Sequence, residues 1–293
     1  MVSRRSFLIS GAGLAAVGVP AGMYASWRGK SFTRPGYTPD FPVAADGEES
    51  WMNWSGIERS TPKSLTYPET ETAIQELLAS ASDRVRVVGS GHSFTGLATT
   101  EGTLVDVSSL SGLLSFDAES GRARFGAGTR LFDMAYELDK LGRAIPNLPD
   151  IDVQTMAGSF STGTHGTGNS LPALHDSIHG FRIVLADGSI KDVTAETEPD
   201  LFAAGKVSLG ALGIITEYEI NTIPSFNLHR RMVLEPIDPF LEKPPELAAK
   251  HRNFEFYYSP STRMAAWISH ALFEGKIGGR GESEDEDSLA SLK

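Results

Sequence analysis

The chain has 293 residues, 40% hydrophobic and 22% charged. That is ordinary globular usage, which excludes a wholly disordered, collagenous or polytopic membrane protein and leaves room for one large domain or two small ones. A net charge of −11 repels polyanions, so nucleic acid is not expected as a partner. With no cysteine there is no disulfide, thiolate nucleophile or iron–sulfur ligand, and any redox chemistry must come from a cofactor.

The N-terminus reads Ser3-Arg4-Arg5-Ser6-Phe7-Leu8, followed by a Gly- and Ala-rich stretch without charge until Arg28. This resembles a twin-arginine export signal, with a membrane helix over residues 6–27 as the alternative. Gly11, Gly13, Gly18, Gly22 and Pro20 soften that helix. Residues 1–30 are therefore expected to send a folded protein through the twin-arginine translocase to the periplasm, or another extracytoplasmic compartment, and to anchor it if uncleaved. Folded export hints at a cofactor acquired in the cytoplasm. Residues 31–50, with Pro35, Pro39 and Pro42, read as a linker.

From Pro68 to Ala81 the apolar residues Ile74, Leu77, Leu78 and Ala81 recur at helical spacing, with Thr70 or Thr72 as the cap. Strands are expected at 84–88, 103–107, 114–116 and 122–125. Leu131, Met134, Ala135, Leu138 and Leu141 form one face of a helix that Gly142 ends. After a Gly/Ser/Thr-rich passage over 158–170, strands at 181–185 and 190–193 flank Asp187-Gly188, a hairpin turn. A short helix over 201–207 and a strand over 214–223 follow. Short strands and helices in irregular alternation point to an α+β fold and not to a doubly wound parallel sheet. Two further strands are expected at 254–258 and 265–268, then a glycine-rich loop over 275–281 and an acidic run over 282–287.

Two loops carry the chemistry. Gly89-Ser90-Gly91-His92-Ser93-Phe94 directly follows a strand, and its glycines let main-chain N–H groups approach an anion closely. It lacks the Lys-Ser/Thr ending of an ATP-binding P-loop and no helix follows it, so neither that nor a Rossmann site is expected. Ala157 to Gly168 is dominated by Gly, Ser and Thr, a dense set of donors suited to a pyrophosphate and a ribityl chain.

Together these loops resemble the flavoproteins of the vanillyl-alcohol oxidase and p-cresol methylhydroxylase superfamily, specifically the sugar-1,4-lactone oxidases (L-gulonolactone and D-arabinono-1,4-lactone oxidases) and alditol oxidases. The matching features run in order: Asn53-Trp54-Ser55-Gly56, Pro68 with its helix, Val87 to Ser93, Gly126-Ala127-Gly128, Pro146-Asn147-Leu148, Gly158 to Gly168, Ala186-Asp187-Gly188 and Leu209 to Ile215. The resemblance covers roughly residues 51–270. It implies a two-subdomain FAD-binding fold of the p-cresol methylhydroxylase type over 51–225, followed over 226–293 by the start of an incomplete substrate-cap domain with an acidic tail.

The resemblance also assigns roles. His92 would be bonded through its imidazole to the 8α-methyl of FAD. Gly89, Ser90, Gly91 and Ser93 would hold the pyrophosphate; Ser161, Thr162, Gly163 and Thr164 would line the flavin and its phosphates, and Gly213 and Ile214 would approach it by backbone. His165 would either contact the phosphates or lock its loop. Ser159 would face the substrate, a sugar lactone or polyol that gives a hydride to flavin N5, with dioxygen or another electron acceptor reoxidising the flavin. His175 and His179, four apart, would suit a metal only on a helix, and no third ligand stands at a recognisable spacing. The acidic-x-Arg and His-Trp-Gly-Lys motifs of the resembled oxidases are missing from this sequence. The remaining half is therefore expected on a partner chain, or the chain is a truncated, catalytically impaired FAD-binding module.

Overall fold

The computed structural model describes residues 51–275; the expected export signal and linker, and the acidic run, lie outside the described residues. The chain opens with β1 (Trp51–Met52), β2 (Arg59–Ser60), β3 (Ser64–Thr66), α1 (Glu71–Ser80), β4 (Val85–Val88) and β5 (Thr103–Asp106). β6 (Leu113–Asp117), β7 (Arg122–Gly126), α2 (Leu131–Lys140), β8 (Arg143–Ala144) and α3 (Met156–Ser161) follow. After a 3₁₀ turn at Leu174–Ser177 come β9 (Ile178–Val184), β10 (Ile190–Thr194), α4 (Pro199–Gly205), β11 (Ile214–Asn221) and β12 (Ile223–Pro224). The last elements are β13 (Asn227–Pro236), α5 (Ile237–Phe240), α6 (Pro244–Lys250), β14 (Asn253–Ser259) and β15 (Met264–Phe273).

Strands β3, β5 and β4 form a small parallel sheet, with β5 in the middle. α1 begins where Thr70 turns extended and its hydroxyl accepts the Ala73 N–H, the first of the two caps the sequence offers. Trp51, Val88 and Leu104 close one side of this sheet in a core of their own.

The second sheet is antiparallel in the order β10-β9-β11-β7-β6. The Asp187-Gly188 turn joins β9 to β10, with Gly188 at a φ of +80° and Asp187 Oδ1 accepting the Ser189 N–H. α2 lays Leu131, Met134 and Leu138, all fully buried, onto the main core, and Gly142 with φ +66° ends its turn. Phe160 and Tyr218 meet edge to face in that core at 5.0 Å between ring centroids.

The structure departs from the sequence reading at the Gly/Ser/Thr-rich passage, which begins as a helix and not as a loop. Thr155 caps α3 by accepting the Gly158 N–H, and Met156, Ala157 and Phe160 are buried beneath it. Apolar burial on one side outweighs the weak helix propensity of Gly, Ser and Thr. Strand β13, absent from the sequence reading, pairs with β15 along its whole length in a third sheet ordered β13-β15-β14. This sheet has its own core of Ile237, Phe240, Ala265 and Trp267. It is tied back by Arg252 Nη2, which donates to Pro146 O at 2.5 Å, and by Asn253 Nδ2, which donates to Thr167 O at 2.8 Å.

Candidate functional site

A cleft of about 860 Å³, part of it open to solvent, is walled by the loop after β4, by Gln154 with α3, and by the approach to β11. On the first wall, β4 ends at Val88 and Gly89 to Ser93 cross the cleft. Gly89 has no room for a side chain, since a Cβ would stand 2.0 Å from Thr155 Oγ1. Gly91 adopts a φ of +65°, which the missing Cβ permits.

The second and third walls are joined to each other. Ser208 Oγ donates to Ser161 Oγ at 3.1 Å, and the Leu209 N–H donates to Ser161 O at 3.0 Å. Leu209 sits at φ +52°, uncommon for a residue with a side chain, and this tight path keeps Ser208, Leu209 and Gly210 on the cleft. Gly213 at φ +150° passes so near Val184 that a Cβ would lie 2.5 Å from its carbonyl oxygen.

Among the described residues that line the cleft, only His92 carries an ionisable side chain. Burial lowers its pKa below the ordinary imidazole value; a hydrogen bond with the Ser90 carbonyl opposes that, and the positive charge of Arg130 adds to it. The imidazole is therefore neutral at neutral pH. Nδ1 lies 3.1 Å from Ser90 O, and the ring stacks on Trp54 with centroids 5.4 Å apart.

Of the residues singled out from the sequence, Gly89, Ser90, Gly91, His92, Ser93, Ser161, Thr162 and Gly213 line this cleft. Ser159, Gly163, Thr164, His165 and Ile214 are not among its lining residues. Ser159 is buried, and its hydroxyl donates to Thr155 O at 2.9 Å within the helix, so it is not presented to a substrate. Ile214 belongs to the main core. His165 is exposed, with Nδ1 2.8 Å from Gly166 O, a contact local to its own loop. His175 lies in the 3₁₀ turn and His179 on β9, so the pair shares no helix face.

Sequence reasoning missed Gln154 and Ser208, and it gave Leu209 and Gly210, part of a matched motif, no role in the site. Thr155 ahead of apolar Met156-Ala157 was a legible cap signal; nothing in the sequence announces a left-handed Leu209. Gln154 bears on the cofactor directly, because it lines the cleft and its Oε1 is buried without a protein donor. An acceptor left so costs about 1–3 kcal/mol unless a ligand donor reaches it. FAD brings ribityl hydroxyls and ring N–H groups as such donors, and the uncharged, glycine-rich walls suit its phosphates through main-chain N–H groups. The residues present fit FAD.

Residues 62–194 match the protein family described as FAD binding domain. The chain's relatives are sugar-1,4-lactone oxidases and dehydrogenases. It is 34% identical over 213 residues to an L-gulono-1,4-lactone dehydrogenase of Mycobacterium tuberculosis, covering 72% of this chain and 49% of that protein. A putative D-arabinono-1,4-lactone oxidase of Neurospora crassa is 34% identical over 236 residues, 79% of this chain and 42% of that one. L-gulonolactone oxidase of Mus musculus is 28% identical over 221 residues, 74% and 50% of the two chains. The chain thus spans about half the length of the curated relatives it matches. Among solved structures, cholesterol oxidase from B. sterolicum superposes with a TM-score of 0.68 at 18% identity, over 87% of this chain and 56% of that one. Alkyldihydroxyacetonephosphate synthase gives 0.62 at 15% identity, over 71% and 46%. These likenesses show the fold, the p-cresol methylhydroxylase type expected from the loops.

Proposed function

We propose that this protein is an FAD-dependent oxidoreductase that oxidises a sugar lactone of the D-arabinono-1,4- or L-gulono-1,4-lactone type, or a polyol, with dioxygen as electron acceptor. The observation that carries the proposal is the cleft, in which three glycine-bearing segments converge beside a single neutral imidazole. Bound FAD supplies a hydride acceptor at N5. Main-chain N–H groups of Gly89 to Ser93 hold the phosphates. The hydroxyls of Ser161 and Thr162 take the ribityl side, and Gln154 Oε1 accepts a donor from the cofactor.

His92, uncharged and at the cleft wall, is the residue that would hold the flavin covalently, through its imidazole at the 8α-methyl carbon. The tether keeps the cofactor through export, which in this reading follows the twin-arginine signal at residues 3–8 into the periplasm, with an uncleaved signal serving as membrane anchor.

The 34% identity to a protein named a dehydrogenase favours a second reading, in which another electron acceptor replaces dioxygen. One experiment separates the two. The flavin-loaded protein is mixed anaerobically with L-gulono-1,4-lactone, D-arabinono-1,4-lactone or an alditol. Bleaching of the yellow absorbance with peroxide on admission of air fits the oxidase; bleaching with dye reduction and no peroxide fits the dehydrogenase. No bleaching by any of them overturns the proposed reaction.

A further inference from the structure

The segment just after β1 grips the loop that carries His92. The Trp54 N–H donates to Gly91 O at 2.8 Å, and Asn53 Nδ2 donates to Ser93 O at 2.8 Å, so the carbonyls on both sides of His92 are held from one strand end. Asn53 is itself fixed, buried with its Oδ1 accepting the Glu58 N–H. The Trp54 indole then lies nearly parallel to the His92 imidazole, at 17° between planes, and Phe94 meets its ring edge-on with centroids 6.2 Å apart. Residues 92 and 94 of one loop thus flank one indole.

Trp54 is 64% exposed and belongs to none of the hydrophobic cores formed by the described residues. A large aromatic left on the surface contributes little to folding, so its packing energy falls mainly on the ring it covers. Two bonds from Asn53 and Trp54 fix the loop backbone, and the stack removes the remaining freedom of the His92 ring.

We propose that Trp54, set by Asn53, is a positioning residue that fixes the His92 imidazole for its reaction with the flavin. The inference rests on the covalent reading above, and goes beyond it by assigning the orientation of the nucleophile to a residue outside the cleft. A held ring meets its target in one orientation; a free one samples others and reacts more slowly.

The test uses the full chain, produced under flavin limitation and then given FAD, as wild type, Trp54→Leu and Trp54→Phe. Flavin that remains with protein after acid precipitation is followed over time, and the His92 ring protons are observed by NMR, assigned by their loss in His92→Gln. Trp54→Leu is expected to slow attachment about two- to tenfold, the range a single aromatic stack supplies, with Trp54→Phe recovering most of the rate. The upfield displacement of the His92 protons by the indole is expected to vanish in Trp54→Leu. Unchanged attachment and unchanged His92 resonances in Trp54→Leu overturn the proposal. Absence of acid-stable flavin in wild type overturns the covalent reading itself. In that case the resonances alone decide the clamp, which stands if they move in Trp54→Leu and falls if they do not. Equal melting temperatures of wild type and Trp54→Leu show that any loss of rate is not unfolding.

Discussion

Gly89 and Thr155 meet across the base of the cleft with no space for a methyl group, since a Cβ on Gly89 would stand 2.0 Å from Thr155 Oγ1. Thr155 is also the cap of α3, accepting the Gly158 N–H at 3.2 Å. One contact therefore joins the loop after β4 to the start of the opposite wall. Gly89→Ala is expected to push the hydroxyl off its partner and cost at least the cap, about 0.5–2 kcal/mol. In Gly89→Ala/Thr155→Ala the clashing hydroxyl is gone, so the double variant should lose less stability than the two single losses added together. Urea unfolding of the four proteins checks this; strict additivity contradicts it.

Glu71 links three elements. Its Oε1 accepts from Arg182 Nε at 2.8 Å and from Thr216 Oγ1 at 2.7 Å, tying α1 to β9 and β11. Glu71→Ala leaves both donors without this partner and is expected to cost about 1–3 kcal/mol. Glu71→Gln keeps an acceptor and should cost less. Denaturant midpoints that rank the two variants the other way would refute this account of the link.

Asp106 closes β5 and is almost fully buried, with Oδ1 accepting the Ser108 N–H. Burial raises its pKa above the ordinary carboxylate value, against the lowering pull of the Ser108 hydrogen bonds and of Arg130. A raised folded-state pKa means that this group favours folding most below its unfolded value, and that the contribution is lost as pH rises through the folded value. Asp106→Asn keeps the acceptor and removes the charge. It should therefore melt above wild type at pH near 7, with the gap narrowing toward about pH 4. Thermal scans across that interval test the sign.

His92 titrates in the opposite sense. Its folded-state pKa is lowered, so the stability it contributes is present above the unfolded value of about 6.5 and is lost as pH falls through the folded value. Between about pH 6.5 and 5 the melting temperature of wild type should fall more steeply than that of His92→Gln. Parallel curves would show that the imidazole is not desolvated where the cleft places it.

Much of this architecture was legible because the pattern coincides with burial. In α1 and α2 the apolar positions at helical spacing are those the core covers, and Asp187-Gly188 forms the turn its chemistry demands. The loop after β4 was legible only together with the second Gly/Ser/Thr-rich segment, since glycines at the end of a strand also make ordinary tight turns. Where reading failed, tertiary contacts outweighed local preference. α3 is a helix of Gly, Ser and Ala because Met156 and Phe160 anchor it, and that helix is what turns the Ser159 hydroxyl onto its own backbone. β13 carries Arg230 and Arg231 and is largely exposed, so its alternation is blurred; pairing with β15 makes it a strand. Gln154 reaches the cleft through a chain path that no short-range pattern encodes.

The account turns on an FAD held in the cleft and bonded to His92. Protein purified from cells with ample riboflavin should be digested and the peptide containing His92 weighed by mass spectrometry. The account predicts that this peptide carries the flavin adduct and that His92→Ala abolishes it. An unmodified His92 peptide from protein that shows no flavin absorbance would contradict it.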